Sequence, residues 1–171
     1  KDLGGIDILI NNAGRSIRRS IELSFDRFHD FERTMQLNYF GSLRLIMQSL
    51  PRMIERRRGH IINISSIGVL ASSPRFSAYV ASKAALDAFS SCAQGELSGK
   101  GISFTTINMP LVKTPMIAPT KMYDSVPTLS PEEAADLIVK AIIEKPSRVA
   151  TRLGVFAGVL NAVFPKAYEV V

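Results

Sequence analysis

Apolar residues follow two different spacings along this chain, and together these spacings predict strands separated by helices. Short, β-branched runs at 6–10, 60–65 and 102–108 are typical of buried strands. Between the first two runs, apolar residues recur every three or four positions and predict a helix over 25–53. The residues of this stripe are Phe28, Phe31, Met35, Tyr39, Leu43, Ile46 and Leu50.

The second half of the chain continues the same alternation. An alanine-rich helix is predicted over 77–97, with Gly99 and Gly101 as its stop signal. Ser130, followed by a proline and two acidic residues, has the character of a helix N-cap. That helix ends before Pro146, and a last short strand is predicted at 149–152. Strands that alternate with long helices indicate an α/β domain with a parallel sheet.

The first predicted strand begins almost at the start of the chain, although its apolar character requires cover on both faces. Two explanations fit this pattern. Either the sheet is unusually small, or the N-terminal half of the domain is missing from this sequence.

Length and charge limit the possible functions. The chain has 171 residues, enough for one domain with a substantial core, and a formal net charge of +6. Part of the charge lies in two clusters, Arg15, Arg18 and Arg19 and then Arg56, Arg57 and Arg58. Both clusters are interpreted first as solvated, because no aromatic residues interleave with them as in a nucleic-acid platform. A polyanionic cofactor or substrate is the next interpretation, and no nucleic-acid partner is expected.

Other features of the composition narrow the location and rule out some chemistry. The longest apolar run, 153–164, is too short to cross a bilayer, which needs roughly 20 residues, and is expected to be a buried terminal segment. The single cysteine, Cys92, excludes disulfides within the chain, and a cytoplasmic location is expected. No cluster of carboxylate and histidine residues supports a metal site, so none is predicted.

Tyr79, Lys83 and Ser66 are the candidate reactive residues. Tyr79 and Lys83 are four positions apart on a predicted helix and therefore share a face. A nearby ammonium group favours the phenolate and lowers the pKa of tyrosine, which makes it a usable general acid or base. Ser66 follows the second strand, at the edge where α/β sheets place ligands. A tyrosine and lysine at this spacing also occur by chance on packed helices, so the pair alone does not predict a catalytic site. The serine at the strand end strengthens that prediction.

A serine hydrolase is the first alternative, and the positions of the histidines oppose it. The chain has two histidines, His29 and His60. His60 stands at the start of the strand that Ser66 follows, so about 20 Å separate the two residues. Both histidines are interpreted as structural or surface residues.

Four features in order resemble the short-chain dehydrogenase/reductase family, and the resemblance covers nearly the whole chain. They are Asn11-Asn12-Ala13-Gly14 after a strand, Asn38 in the next helix, Ser65-Ser66 after the next strand, and Tyr79 with Lys83. The resemblance implies the C-terminal portion of a Rossmann-type doubly wound parallel sheet with flanking helices. It also implies an NAD(P)-dependent oxidoreductase that interconverts a carbonyl and an alcohol.

The resemblance assigns a role to each matching residue. Tyr79 is the implied acid/base, Ser66 orients the substrate carbonyl, and Lys83 tunes Tyr79 and holds the nicotinamide ribose. Asn38 is expected to position a water that completes a proton relay to Lys83. The implied cofactor-binding residues are Asn11, Ala13, Gly14, Tyr79, Lys83, Val112 and Thr114.

The sequence departs from the family pattern in two places. The glycine-rich phosphate loop is absent, and the first strand here matches the family's fourth, so roughly 80 to 90 residues are expected to be missing. Residues 1–171 are therefore interpreted as a partial catalytic domain that lacks the dinucleotide-binding half and is inactive alone. The residue that selects the cofactor is missing with it, and NADP(H) is expected in preference to NAD(H). Secondly, Met109-Pro110 replaces the family's Pro-Gly, which weakens the assignments of Val112 and Thr114.

The loop over 108–120 resembles the C-terminal reductase domain of bacterial fatty acyl-CoA reductases. This resemblance implies a fatty acyl-CoA or fatty aldehyde substrate, with Met116, Ile117 and Met122 against the acyl chain and the first arginine cluster near CoA phosphates. A 3-oxoacyl compound, a steroid or a small ketone is the alternative substrate. The family also implies a homo-oligomer formed through the helices near 30–55 and 79–98. A truncated, non-catalytic interaction module is the rival function.

Overall fold

A four-stranded parallel sheet forms the centre of the computed structural model, which describes residues 5–117, 120, 123 and 125–164. The strands are β1 (Ile8–Asn11), β2 (Gly59–Ser66), β3 (Ile102–Met109) and β4 (Arg148–Ala150). They lie side by side in the order β1-β2-β3-β4, and every neighbouring pair is parallel. All four carboxyl ends therefore point to the same edge of the sheet.

Helices connect the strands. Helix α1 (Phe28–Met35) continues through a π-helical turn at Gln36–Gly41 into α2 (Ser42–Glu55). A short helix α3 (Ile67–Ala71) follows β2, and the long helix α4 (Ser77–Leu97) leads to β3. Helices α5 (Pro131–Glu144) and α6 (Arg152–Val163) complete the fold. Ser130 caps α5 as predicted, because its hydroxyl accepts a hydrogen bond from the Glu133 amide and the Glu133 carboxylate bonds back to the Ser130 amide.

Apolar side chains cover both faces of the sheet. On one face, Ile61 and Phe104 pack in a cluster that includes Ile46 of α2 and Leu86 of α4. On the other face, Ile62, Ile64 and Ile107 pack with Ala141 of α5. Strand β2 is buried along seven of its eight residues, as expected for a parallel strand with helices on both sides. The predicted fold class, an α/β doubly wound parallel sheet with flanking helices, is confirmed.

The buried stripe of the first long helix differs from the predicted one. Phe28 is 70% exposed, whereas Thr34, Asn38 and Ser42 are buried together with Ile46. Apolar periodicity could not identify this stripe, because half of it is polar. The polar half faces the functional residues described below.

Two further expectations need correction or extension. The segment 153–164 is a helix with an exposed apolar face, on which Phe156 and Val163 are 60% and 61% exposed, so the predicted burial is wrong for these side chains. Helix α3 was not predicted at all. Ser66 is the N-cap of this helix, and its hydroxyl accepts a hydrogen bond from the Gly68 amide at 3.1 Å.

The second arginine cluster ties the amino ends of the strands together. Arg56 donates to the carbonyl of Ile6 at 2.7 Å, and Arg58 pairs with Asp7 at 3.2 Å. Arg57 adopts a positive φ of 50°, and a Cβ on the neighbouring Gly101 (φ 77°) would collide with the Arg57 carbonyl. These contacts give the cluster a structural role.

The outer edge of the sheet is β1, where Ile8 and Ile10 are 42% and 39% exposed. The expectation that further strands lie beyond this edge in the complete protein stays a prediction. Within the described ranges, no helix is both long enough and apolar enough to pass through a bilayer.

Candidate active site

A cavity of about 590 Å³ lies at the carboxyl ends of the strands. The segments that follow β1, β2 and β3 and the first turns of α4 supply its walls. Ser66, Tyr79, Lys83, Gly14, Val112 and Thr114 all line it. The structure thus brings together in one cavity six of the nine residues predicted to act in catalysis or cofactor binding.

Lys83 is buried beside the end of β2. Its ammonium group donates a hydrogen bond to the carbonyl oxygen of Ile64 at 2.6 Å, and the residue is 4% exposed. Burial penalises the charged form and lowers the pKa of Lys83 to about 8. Lys83 therefore remains mostly protonated near neutral pH but can release a proton at little cost.

Tyr79 lies one helical turn before Lys83 on α4. Burial raises the pKa of its hydroxyl above the ordinary value, and a hydrogen bond with Ser66 opposes the increase. The net pKa of Tyr79 is thus higher than that of a free tyrosine, because loss of hydration outweighs the hydrogen bond with Ser66. The expectation that Lys83 lowers the pKa of Tyr79 stays a prediction. At neutral pH the tyrosine holds its proton.

Ser66 occupies the junction between β2 and α3. Its backbone is extended, with φ −142° and ψ 146°, and its side chain caps α3. The neighbouring Ser65 also lines the cavity and is 3% exposed, and its hydroxyl has no hydrogen-bond partner within the described part of the chain. A buried hydroxyl without a partner is costly, so its presence at a cavity wall suits a polar ligand.

Asn38 sits in the π-helical turn between α1 and α2 and is completely buried. Its side-chain oxygen accepts from the Arg15 amide at 2.9 Å. Its side-chain nitrogen donates to the Arg15 carbonyl and to the Ser82 hydroxyl, each at 2.9 Å. These three bonds hold the loop after β1 against α4. The predicted role of Asn38 in positioning a water stays a prediction.

The Asn-Asn-Ala-Gly segment places its members differently. Gly14 lies so close to the site that a Cβ there would stand 3.2 Å from the Lys83 ammonium and 3.3 Å from the Asn38 side-chain oxygen. Asn11 is buried and donates to the Asn63 side chain at 2.7 Å, which joins β1 to β2. Ala13 is exposed and does not line the cavity.

Several polar residues around the site were not predicted from the sequence. Asn63, which accepts from Asn11, donates its own hydrogen bond to the Ser90 hydroxyl of α4 at 2.7 Å. The Ser82 hydroxyl accepts from Asn38 and donates to the Tyr79 carbonyl. One signal was available, because Asn63 is an amide inside an otherwise apolar strand. Asp87, Asn108 and Arg148 form a second network whose members are too far apart in sequence for any spacing to reveal.

Of the first arginine cluster, Arg18 lines the cavity. Arg19 lies 3.5 Å from the Asp30 carboxylate, and Arg15 takes part through its backbone. His60 is buried and bonds Thr105 at 2.9 Å, while His29 lies beside Asp30 at the surface. The described residues contain no group of three or more His, Cys, Asp or Glu side chains suited to a metal ion.

Comparison with known families agrees with this geometry. A family model described as short chain dehydrogenase matches residues 1–123. The chain belongs to the short-chain dehydrogenase family. The catalytic positions inferred from the motifs all fall inside the matched region; they are Asn38, Ser66, Tyr79 and Lys83.

Relatives of this short-chain dehydrogenase include two proteins named fatty acyl-CoA reductase. The one from Acinetobacter baylyi is 68% identical over 160 residues, which cover 94% of this chain and 54% of that protein. The one from Mycobacterium tuberculosis is 53% identical over 167 residues, covering 97% and 57% respectively. The chain therefore spans about half the length of the curated relatives it matches.

A solved short-chain dehydrogenase from Streptomyces avermitilis has the same architecture. It is 28% identical, with a TM-score of 0.80, and the match covers 97% of this chain and 69% of that one. The sheet and helices described above are thus those of a Rossmann-type short-chain dehydrogenase.

Proposed function

We propose that the complete protein is an NAD(P)-dependent oxidoreductase that reduces a fatty acyl-CoA or a fatty aldehyde. The observation that carries the proposal is the meeting of Ser66, Tyr79 and Lys83 at one cavity. The two named relatives support the acyl substrate, since each carries the name fatty acyl-CoA reductase over a matched region that includes the site.

The residues of the cavity fit the nicotinamide end of a dinucleotide. Because Gly14 has no Cβ, the space beside the Lys83 ammonium stays free for a ligand. The Ser65 hydroxyl, which has no partner among the described residues, offers a polar contact. Gly14, Tyr79, Lys83, Val112 and Thr114 would hold this end, with Asn11 and Ala13 supporting the loop. When bound, the nicotinamide supplies the hydride that reduces the substrate carbon.

The side chains of the chain itself manage the proton and the substrate oxygen. Ser66 donates a hydrogen bond to the carbonyl oxygen and orients it. Tyr79 gives its proton to that oxygen as negative charge develops there, which completes the alcohol when the substrate is an aldehyde. With an acyl-CoA the product of this step is a hemithioacetal, which gives an aldehyde when its C–S bond breaks and the CoA thiol leaves. Burial raises the pKa of the Tyr79 hydroxyl, so this group is protonated at neutral pH and available as the proton donor that reduction needs. Lys83 stands one turn away and stabilises the tyrosinate left behind.

An acyl chain finds apolar side chains at the same cavity. Ile67, Phe76, Val80, Leu111, Met116 and Ile117 belong to its wall. Met116 and Ile117 are two of the three loop residues expected to contact the chain, and the third, Met122, lies outside the described residues. Arg18 is the member of the arginine cluster that is placed to meet an anionic part of a ligand.

A substrate panel tests this function. The complete protein is assayed with NADPH and with NADH on long-chain acyl-CoA, long-chain aldehyde, 3-oxoacyl thioester, steroid and short ketone. We expect oxidation of the cofactor with the long-chain acyl substrates, and faster turnover with NADPH. Turnover confined to the steroid or short ketone would contradict the acyl assignment.

We also propose that the protein forms a homo-oligomer through the helices near 30–55 and 79–98. Apolar side chains remain exposed on the first of these helices, where Phe40 and Met47 are 39% and 57% exposed. Phe40 lies in the π-helical turn and Met47 in α2, so exposed apolar side chains are present on both segments of this helix. Cytoplasmic location stays a prediction.

A further inference from the structure

An ion pair joins the helix that carries Tyr79 to the far strand of the sheet. Arg148 of β4 donates to both carboxylate oxygens of Asp87 on α4, at 2.7 and 2.9 Å. Asp87 is 7% exposed, so this carboxylate has little contact with water. The Arg148 side chain is 39% exposed, and a partly exposed ion pair typically contributes little to stability, so stability alone is a weak reason for this pair.

The same guanidinium also fixes the orientation of a buried amide. Arg148 donates to the side-chain oxygen of Asn108 at 2.6 Å, and Asn108 is 1% exposed. An amide oxygen that accepts from a cation leaves the amide nitrogen to face the opposite side. That nitrogen donates to the backbone carbonyl of Ser66 at 3.3 Å.

The network therefore reaches both halves of the site without touching the cavity. Asp87 follows Lys83 by one helical turn and Tyr79 by two, about 12 Å along the axis from Tyr79. Ser66 is the last residue of β2, and no side chain of Asp87, Asn108 or Arg148 lines the cavity. One guanidinium thus links the helix of the proton donor to the strand end of the hydroxyl that orients the substrate.

We propose that Arg148 is a positioning residue that holds Ser66 in register with Tyr79 and Lys83, acting through Asn108 and Asp87. This inference rests on the proposed function, since its effect is read from carbonyl reduction. A displacement of about 1 Å of a group in contact with the reacting atoms can cost about a hundredfold in rate.

Two substitutions in the complete protein separate orientation from folding. Arg148→Lys keeps a cation beside Asp87, but its compact ammonium lacks the planar fork with which the guanidinium binds both carboxylate oxygens and the Asn108 amide. Asn108→Asp keeps an acceptor for Arg148, replaces the donor to the Ser66 carbonyl with a second acceptor, and adds a negative charge. Each change is expected to lower kcat by about tenfold or more and to leave KM within about threefold.

A double-mutant cycle with Ser66→Ala gives the decisive comparison. If Arg148 acts through Ser66, Arg148→Lys and Asn108→Asp should lower kcat by less than about twofold in the Ser66→Ala protein. Arg58→Lys is the matched control, because Arg58 pairs with Asp7 at the opposite end of the strands, and its kcat should stay at the wild-type level.

Equal losses in the Ser66 and Ser66→Ala proteins would overturn the positioning role, as would unchanged kcat or an effect confined to KM. Circular dichroism and the Tm of each variant identify any that fail to fold, and the Asn108→Asp result then decides. Activity that survives Tyr79→Phe would defeat the proposed function instead. A wild-type protein that reduces no carbonyl compound would defeat both.

Discussion

Burial acts on Tyr79 and Lys83 in opposite directions, although the two side chains lie one helical turn apart. It raises the pKa of the tyrosine and lowers that of the lysine to about 8. Each residue is shifted toward its neutral form, since both lose hydration. The pair therefore presents a protonated phenol beside a cation that can give up its charge.

Lys83→Met should raise the free energy of unfolding of the complete protein at neutral pH by about 1 to 3 kcal/mol. The folded pKa of about 8 lies below the ordinary 10.5, so the unfolded chain binds more protons between those values. The cost of burying the charged Lys83 is fully present below the folded pKa. As the pH rises through this window, that cost disappears, and the free energy of unfolding of the wild type increases relative to that of the variant. Urea unfolding of both proteins at several pH values checks this, and a difference that does not change with pH would contradict it.

Gly14→Ala should lower activity while the protein remains folded. The added methyl group would press against the Lys83 ammonium and the Asn38 oxygen, at 3.2 and 3.3 Å, and Asn38 is held by three hydrogen bonds. We expect kcat/KM to fall by about tenfold. Gly99→Ala is the control, since a Cβ there meets no heavy atom within 4 Å, and its kcat/KM should match wild type. Equal activity of the two variants would show that the space at Gly14 has no catalytic importance.

At the scale of elements, the sequence predicts strands and helices well and their interior polar contacts poorly. The helix over 77–97 and the strands near 60 and 102 are confirmed. Their positions were predictable because apolar runs and glycine stop signals determine where an element begins and ends from neighbouring residues alone. The π-helical turn around Asn38 has no such local signal. Its polar stripe of Thr34, Asn38 and Ser42 is buried by packing against α4, which spacing along one helix cannot show.

The candidate site shows the same division. Tyr79, Lys83 and Ser66 were found from the sequence, since helical spacing and a strand end fix their relative positions. Arg148 and Asp87 were not, because they are 61 residues apart and meet only when β4 is in place beside β3. The net rise of the Tyr79 pKa was not predicted either, since the sequence shows a neighbouring charge but not the loss of water.

Exposed apolar side chains on the helix over 28–55 allow the proposed self-association to be tested by substitution. Met47 is 57% exposed on the helix expected to mediate self-association, and Leu23 is 66% exposed outside it. Met47→Lys should shift the complete protein toward monomers in light scattering after gel filtration, because it buries a charge in an apolar contact. Leu23→Lys should leave the oligomeric state unchanged. A monomeric wild type would contradict the proposed interface.

On the scale of the whole molecule, the candidate site and the partly exposed edge strand β1 lie at two different borders of the sheet. The groups proposed to transfer the proton and orient the substrate lie on α4 and at the end of β2, within 66–83. Strand β1 forms one lateral edge of the sheet, and its residues Ile8 and Ile10 are partly exposed. Since the chain spans about half the length of its relatives, binding of the whole cofactor is a property to be measured on the complete protein.

Replacement of Tyr79 by phenylalanine tests the central claim most directly. Phenylalanine fills the same space and removes only the hydroxyl that donates the proton. Turnover of a long-chain acyl-CoA or aldehyde by the complete protein should fall at least about a hundredfold, with cofactor binding retained. Tyr39→Phe, which alters a tyrosine packed on the apolar core, should keep wild-type turnover. Tyr79→Phe protein that turns over at the wild-type rate would contradict the account.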